Sequence, residues 1–201
     1  MSSNGVVVVT ETPRNRRQEE TFRKVLAAGM EMLRESSYAD LTVRAVAARA
    51  KVAPATAYTY FSSKNHLIAE VYLYLVSQVP FFTDVNDAGA TRVDKTLRAL
   101  TLVVADEPEV AAACTAALLG GGSDPAVRTV RDRIGAEIHK RIRSAVGPDA
   151  DPRIVSALET TFFGALVNAG SGAVTHHQIA DNLTYVVGLI LGEPATTRPT
   201  E

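Results

Sequence analysis

A single cysteine, Cys114, stands in 201 residues, so no disulfide framework or thiolate metal site can form within one chain. Its neighbours Val110 to Ala113 are apolar, and a buried structural thiol is expected rather than a reactive one. Long apolar runs are missing as well: none approaches the roughly 18–20 residues that a bilayer span needs. Val6 to Val9 is far too short for the hydrophobic part of a secretion signal, and no basic residue precedes it. A cytoplasmic location and no membrane partner are therefore expected. Gly120-Gly121-Gly122 has no strand before it and no Lys-Ser/Thr after it, which excludes a phosphate cradle. The four histidines, His66, His139, His176 and His177, fall in no motif of known mechanics. Adjacent His176 and His177 point in different directions on a helix, which argues against a metal pair. No catalytic residue, cofactor or metal is expected.

Net charge is slight, −1 at pH 7, but it is unevenly spread. Residues 14–64 hold ten Lys/Arg against five acids, net +5, which leaves −6 for the remainder. A basic end on an acidic body suits a small nucleic-acid reader carried by a larger regulatory body. The body has the composition of a globular core, 46% hydrophobic and 21% charged.

The chain is organised around LTVRAVAARAKVAPATAYTYFSSK, from Leu41 to Lys64. Thr42 suits the cap of a first short helix. Val43, Val46, Ala47 and Ala50 then recur at i, i+3, i+4 and i+7, one apolar stripe. Lys51-Val52-Ala53 has room only for a turn. Pro54 fits the first turn of the next helix, where its missing N–H costs nothing. That helix, Pro54 to about Tyr60, is rich in small residues, so its backbone can approach another surface closely. Ser62 or Ser63 caps a third. Two short helices at a steep angle form a helix-turn-helix, whose second member enters the major groove. Thr56 can bond a base edge, Pro54 and Ala55 can pack on a thymine methyl, and Arg44 can reach guanine or phosphate. Phe61 is assigned to the core.

Leu41-Thr42-Val43-Arg44, Ala47-x-x-Ala50-x-Val52 and Thr56-Ala57-Tyr58-Thr59-Tyr60-Phe61-x-x-Lys64-x-x-Leu67 resemble the N-terminal domain of the tetracycline-repressor (TetR) family. Tyr58, Tyr60, Phe61 and Lys64 fit the pattern that closes its recognition helix. Ala55 and Ala57 depart from it, standing where the family often has glycine or serine and then leucine. The resemblance implies phosphate contacts from Thr42, Tyr58, Tyr60 and Lys64, and base reading by Arg44, Pro54, Ala55 and Thr56. Packing between helices is the alternative role for Tyr58 and Tyr60.

Elsewhere the periodicity predicts an all-α chain of about nine helices. Helix 1 runs from about Gln18 to Glu35 and helix 4 from about Lys64 to Val79. Others follow over Thr91–Asp106, Pro108–Leu119, Pro125–Val146, Arg153–Ala169 and His176–Leu191. The arginines around Pro125–Val146, interleaved with acids, read as a solvated face. Domain bounds follow: a disordered tail at 1–13, a helix-turn-helix domain at 14–63, a helical effector-binding and dimerisation domain at 64–192, and a disordered tail at 193–201. Arg14, Arg16 and Arg17 form either an arm toward DNA or a solvated helix start.

The last two helices are apolar on more than one face, and the surplus calls for a two-fold homodimer. The resemblance implies the same arrangement, and a two-fold dimer calls for a palindromic double-stranded operator. It also implies a small-molecule effector pocket in the C-terminal helices, with Phe81, Phe82, Leu118, Phe162, Phe163 and Asn168 as candidate walls, plain core packing being the alternative role of each. Their apolar character suggests a lipophilic effector. The expected function is a ligand-responsive transcriptional repressor. A helical binding protein with a degenerate DNA reader, and an enzyme without a recognisable motif, remain open from sequence alone.

Overall fold

The computed structural model describes residues 16–120, 124–170 and 174–192. The tails expected at 1–13 and 193–201, Arg14 and Asn15 of the basic arm, and Gly121, Gly122 and Ser123 of the glycine turn lie outside the described residues. Among the described residues the chain forms nine helices and no strand.

Three helices and the start of a fourth make the amino-terminal cluster: α1 (Arg16–Glu35), α2 (Val43–Arg49), α3 (Pro54–Tyr60) and α4 (Lys64–Gln78). Thr42 caps α2 by accepting from the Ala45 N–H at 3.1 Å. Ser63, rather than Ser62, caps α4 by accepting from the His66 N–H at 3.1 Å. Phe22, Val25, Leu26 and Leu33 of α1 close over Val43, Val46, Ala47 and Phe61. Phe61 lies stacked on Phe22, ring centroids 5.0 Å apart. Burying a side chain of that size stabilises the cluster by roughly 2–3 kcal/mol.

The helix α4 is the spine. It buries Leu67 through Leu73 without interruption, because it runs between the amino-terminal cluster and the body and is covered on every side. The run includes Glu70, whose carboxylate accepts from Arg133 at 2.8 Å. Beyond the loop at 79–88 come α5 (Gly89–Leu102), α6 (Pro108–Gly120), α7 (Pro125–Val146), α8 (Pro152–Gly170) and α9 (His176–Leu191). In the body α6 and α7 flank α4, while α9 lies along α5 and α8.

Two expectations need correction. The helix predicted to reach Asp106 stops at Leu102, and a turn follows. Pro108 disfavours helical backbone at Glu107, and the Glu107 carboxylate is drawn instead to Arg34 of α1, which donates to it at 2.8 Å. The arginines of α7 are not uniformly solvated either. Arg141 is 2% exposed. Its guanidinium donates to the Ser77 carbonyl at 2.8 Å and the Val79 carbonyl at 2.9 Å, both left open where α4 ends.

Candidate nucleic-acid interface and effector cavity

Helix α3 has seven residues and one inward anchor. Ala57 is buried against the cluster, while Pro54, Ala55, Thr56, Tyr58 and Thr59 are exposed. Pro54 occupies the first turn, where its ring sets the helical φ and no donor is wasted. Tyr58 is 51% exposed, so packing is not its main role. Tyr60 differs: it is half-buried, edge-on to Phe22 at 6.2 Å and tilted against Phe61.

The preceding helix α2 presents Thr42 and Arg44 on the exposed side. Arg49, also exposed, is held at home. It bonds the Glu35 carboxylate at 2.5 and 3.1 Å and holds that carboxyl below its usual pKa. Arg44 has no such acid at hand among the described residues. Lys64 turns inward: its ammonium donates to the Tyr38 carbonyl at 2.9 Å and sits 4.1 Å over the Tyr38 ring. Of the eight residues expected to meet DNA, Thr42, Arg44, Pro54, Ala55, Thr56 and Tyr58 are exposed, whereas Tyr60 and Lys64 brace the cluster.

One residue escaped the sequence reading. The turn between α2 and α3 closes with Val52 N–H on the Ala47 carbonyl at 2.9 Å and Lys51 N–H on the Ala48 carbonyl at 3.1 Å. This paired pattern ends a helix through one left-handed residue, usually glycine. Here that residue is Lys51, at φ 56°. A strained, exposed cation thus sits in the turn that leads into α3.

The candidate effector walls divide. A cavity of about 310 Å³ opens between α4, α6, α7 and α8, and Leu118 and Phe163 line it. Tyr72, Cys114, Arg131 and His176 also line it, none of which the sequence had nominated. Asn168 borders a second hollow, about 330 Å³, between α8 and α9. Phe82 and Phe81 line neither, because both stand in the loop after Pro80. Phe81 lies under Arg141 instead, 4.8 Å from its guanidinium carbon. Phe162 is wholly buried core. Burial pushes the Cys114 thiol up to about 12, so it stays protonated and is a poor nucleophile.

Residues 25–71 match the sequence pattern of the bacterial regulatory proteins of the tetR family. Uncharacterized HTH-type transcriptional regulators of Mycobacterium tuberculosis and Mycobacterium bovis are each 75% identical to the chain over 186 residues, covering 91% of it and 87% of the relative. A TetR transcriptional regulator from Rhodococcus sp. RHA1 has the same fold, with a TM-score of 0.74 at 20% identity over 89% of this chain and 98% of that one. A TetR transcription regulator from Haloarcula marismortui follows at 0.56 and 20%, over 86% and 96%. The exposed α3, its buried anchor and these likenesses agree: the chain belongs to the tetR family of bacterial regulatory proteins and is a helix-turn-helix transcriptional regulator.

Proposed function

We propose that this regulator is a repressor, released from a palindromic operator by a small lipophilic effector. The observation that carries the DNA reading is α3 itself, which Ala57 fixes to the cluster while Pro54, Ala55, Thr56 and Tyr58 face outward. Arg44, Pro54, Ala55 and Thr56 read bases, and Thr42 and Tyr58 set the register on phosphates. Tyr60 and Lys64 hold the pose. Residues 14–63 form the reader. Residues 64–192 bind the effector and pair two copies through α8 and α9, which expose Val167, Tyr185 and Leu189. Such a protein works in the cytoplasm, where the operator is.

The effector reading draws on how the cavity is tied to the reader. Two cavity walls, α6 and α7, begin at residues bonded to the amino-terminal cluster. Glu107, next to α6, pairs with Arg34, and Asp124, next to α7, accepts from Ser63. A ligand that prefers one spacing of α6 and α7 thereby biases the pose of α3, provided its affinity differs between the two states. The test is selection of bound sites from random DNA, followed by titration across salt. A palindromic site bound specifically, with affinity falling steeply as salt rises, is the expected result. Equal affinity for every sequence would refute the reading.

A further inference from the structure

The cavity given above to the effector has on its wall a nearly buried hydroxyl that the protein leaves unserved. Tyr72 of α4 is 6% exposed and lines the cavity. Among the described residues its hydroxyl has no hydrogen-bond partner. Yet among those residues no fully enclosed side-chain oxygen or nitrogen goes unpaired. The Tyr72 hydroxyl is therefore not fully enclosed, and the space that Tyr72 lines is the cavity. A phenol left unpaired in apolar surroundings costs free energy that a ligand atom can recover.

The other groups on the wall set the charge of that ligand. Burial pushes both the Tyr72 phenol and the Cys114 thiol beside it upward, so both remain neutral. Burial lowers the His176 imidazole below its usual value, which keeps it uncharged at neutral pH. The cation on the wall is Arg131. It is exposed, at the mouth, and donates to the Leu118 carbonyl at 2.7 Å where α6 ends. A carboxylate or ammonium drawn inside would lose its hydration with no counter-charge at the buried wall.

We propose that the effector is a compact, uncharged lipophile bearing one oxygen, which hydrogen-bonds to the Tyr72 hydroxyl. This rests on the reading of the cavity as the effector site. A cavity of about 310 Å³ is at the lower end of the size that takes a small organic molecule.

Calorimetric titration of the full chain with three matched probes tests it: para-propylphenol, para-propyltoluene and para-propylbenzoate. The phenol is expected to bind about tenfold more tightly than the toluene, the effect of one neutral hydrogen bond in a dry site. The benzoate is expected to bind more weakly than the phenol. In Tyr72→Phe, which removes only the hydroxyl, the advantage of the phenol disappears, toluene binding stays as it was, and thermal unfolding occurs no lower than in the parent. Equal affinity for phenol and toluene in the parent, or an advantage that survives in Tyr72→Phe, overturns the assignment and leaves the effector site standing. Tightest binding by the benzoate, abolished in Arg131→Gln, also overturns it, in favour of an anionic effector. If none of the three binds, the effector reading of the cavity falls together with the role of Tyr72.

Discussion

The Ser63 hydroxyl donates to the Asp124 carboxylate at 2.8 Å, and each of the two residues also caps its own helix. Ser63 accepts from the His66 N–H, and Asp124 accepts from the Ala126 N–H at 2.9 Å. One hydrogen bond therefore joins the start of α4, just past the reader, to the start of α7, a wall of the cavity.

Asp124→Ala removes the cap and the tie together. Stability is expected to fall by about 1–2 kcal/mol at pH 7, the sum of a lost cap and a lost hydrogen bond. The Ser63 hydrogen bond, helped by backbone N–H donors, holds the Asp124 carboxyl below its usual pKa against the opposing effect of burial. A carboxyl lowered by folding stabilises above its unfolded value of about 3.9 and loses that contribution as pH falls through the lowered value. Urea unfolding should thus show a gap between parent and variant that narrows in acid. A gap that widened there would contradict the geometry.

Lys51 invites the opposite substitution. At φ 56° an L residue carries a steric penalty that glycine escapes. Lys51→Gly is expected to stabilise the chain by up to about 1 kcal/mol, the relief being partly offset by the greater freedom of glycine when unfolded. The same change removes a cation from the edge of α3. Operator affinity should fall across all sequences, with the salt slope reduced by about one. Urea unfolding and fluorescence anisotropy at several salt concentrations measure the two effects separately. Unchanged affinity would place Lys51 away from the phosphates.

Local chemistry made the reader legible, and distance hid the rest. Pro54 suits the first turn of a helix by its own ring geometry, and the Thr42 and Ser63 hydroxyls act on donors three residues away. Those interactions lie within one window of sequence. The role of Arg141 does not, because its carbonyl partners at Ser77 and Val79 are more than sixty residues away. A buried, capping arginine and a solvated one look alike in a string of letters. Phe162 and Phe163 show the same limit at short range. Successive helical side chains diverge by about 100°, so one is core and its neighbour lines the cavity. In the sequence Tyr72 stands among the apolar residues of α4, and only the packing of α6 against that helix puts it on the wall of a cavity.

Thr56→Ala and Lys64→Ala should separate base reading from support. The Thr56 side chain is exposed on α3, so its loss should leave stability within about 0.5 kcal/mol of the parent. It should change preference at one base pair by about 1–3 kcal/mol. Lys64→Ala removes the donor to the Tyr38 carbonyl. Stability should fall by about 1 kcal/mol, and binding to every sequence should weaken alike. Competition binding against single-base operator variants tells the two patterns apart.

Leu189→Glu probes the pairing of two copies. On α8 and α9, Val167, Tyr185 and Leu189 are 59%, 58% and 64% exposed, more apolar surface than a solvated face needs. Under a two-fold axis each substitution is present twice, and a buried, unpaired carboxylate costs several kcal/mol. Sedimentation at micromolar concentration should therefore find the variant monomeric. Operator affinity should drop by about 10²–10⁴, because two linked readers become two independent ones. Val85→Glu is the control. Val85 is 90% exposed in the loop at 79–88 and belongs to neither helix, and its substitution should change neither measurement. A dimeric Leu189→Glu variant with the parent's operator affinity would move the interface elsewhere. The spacing of the two α3 helices, and with it the spacing of the half-sites, would then be set by another face.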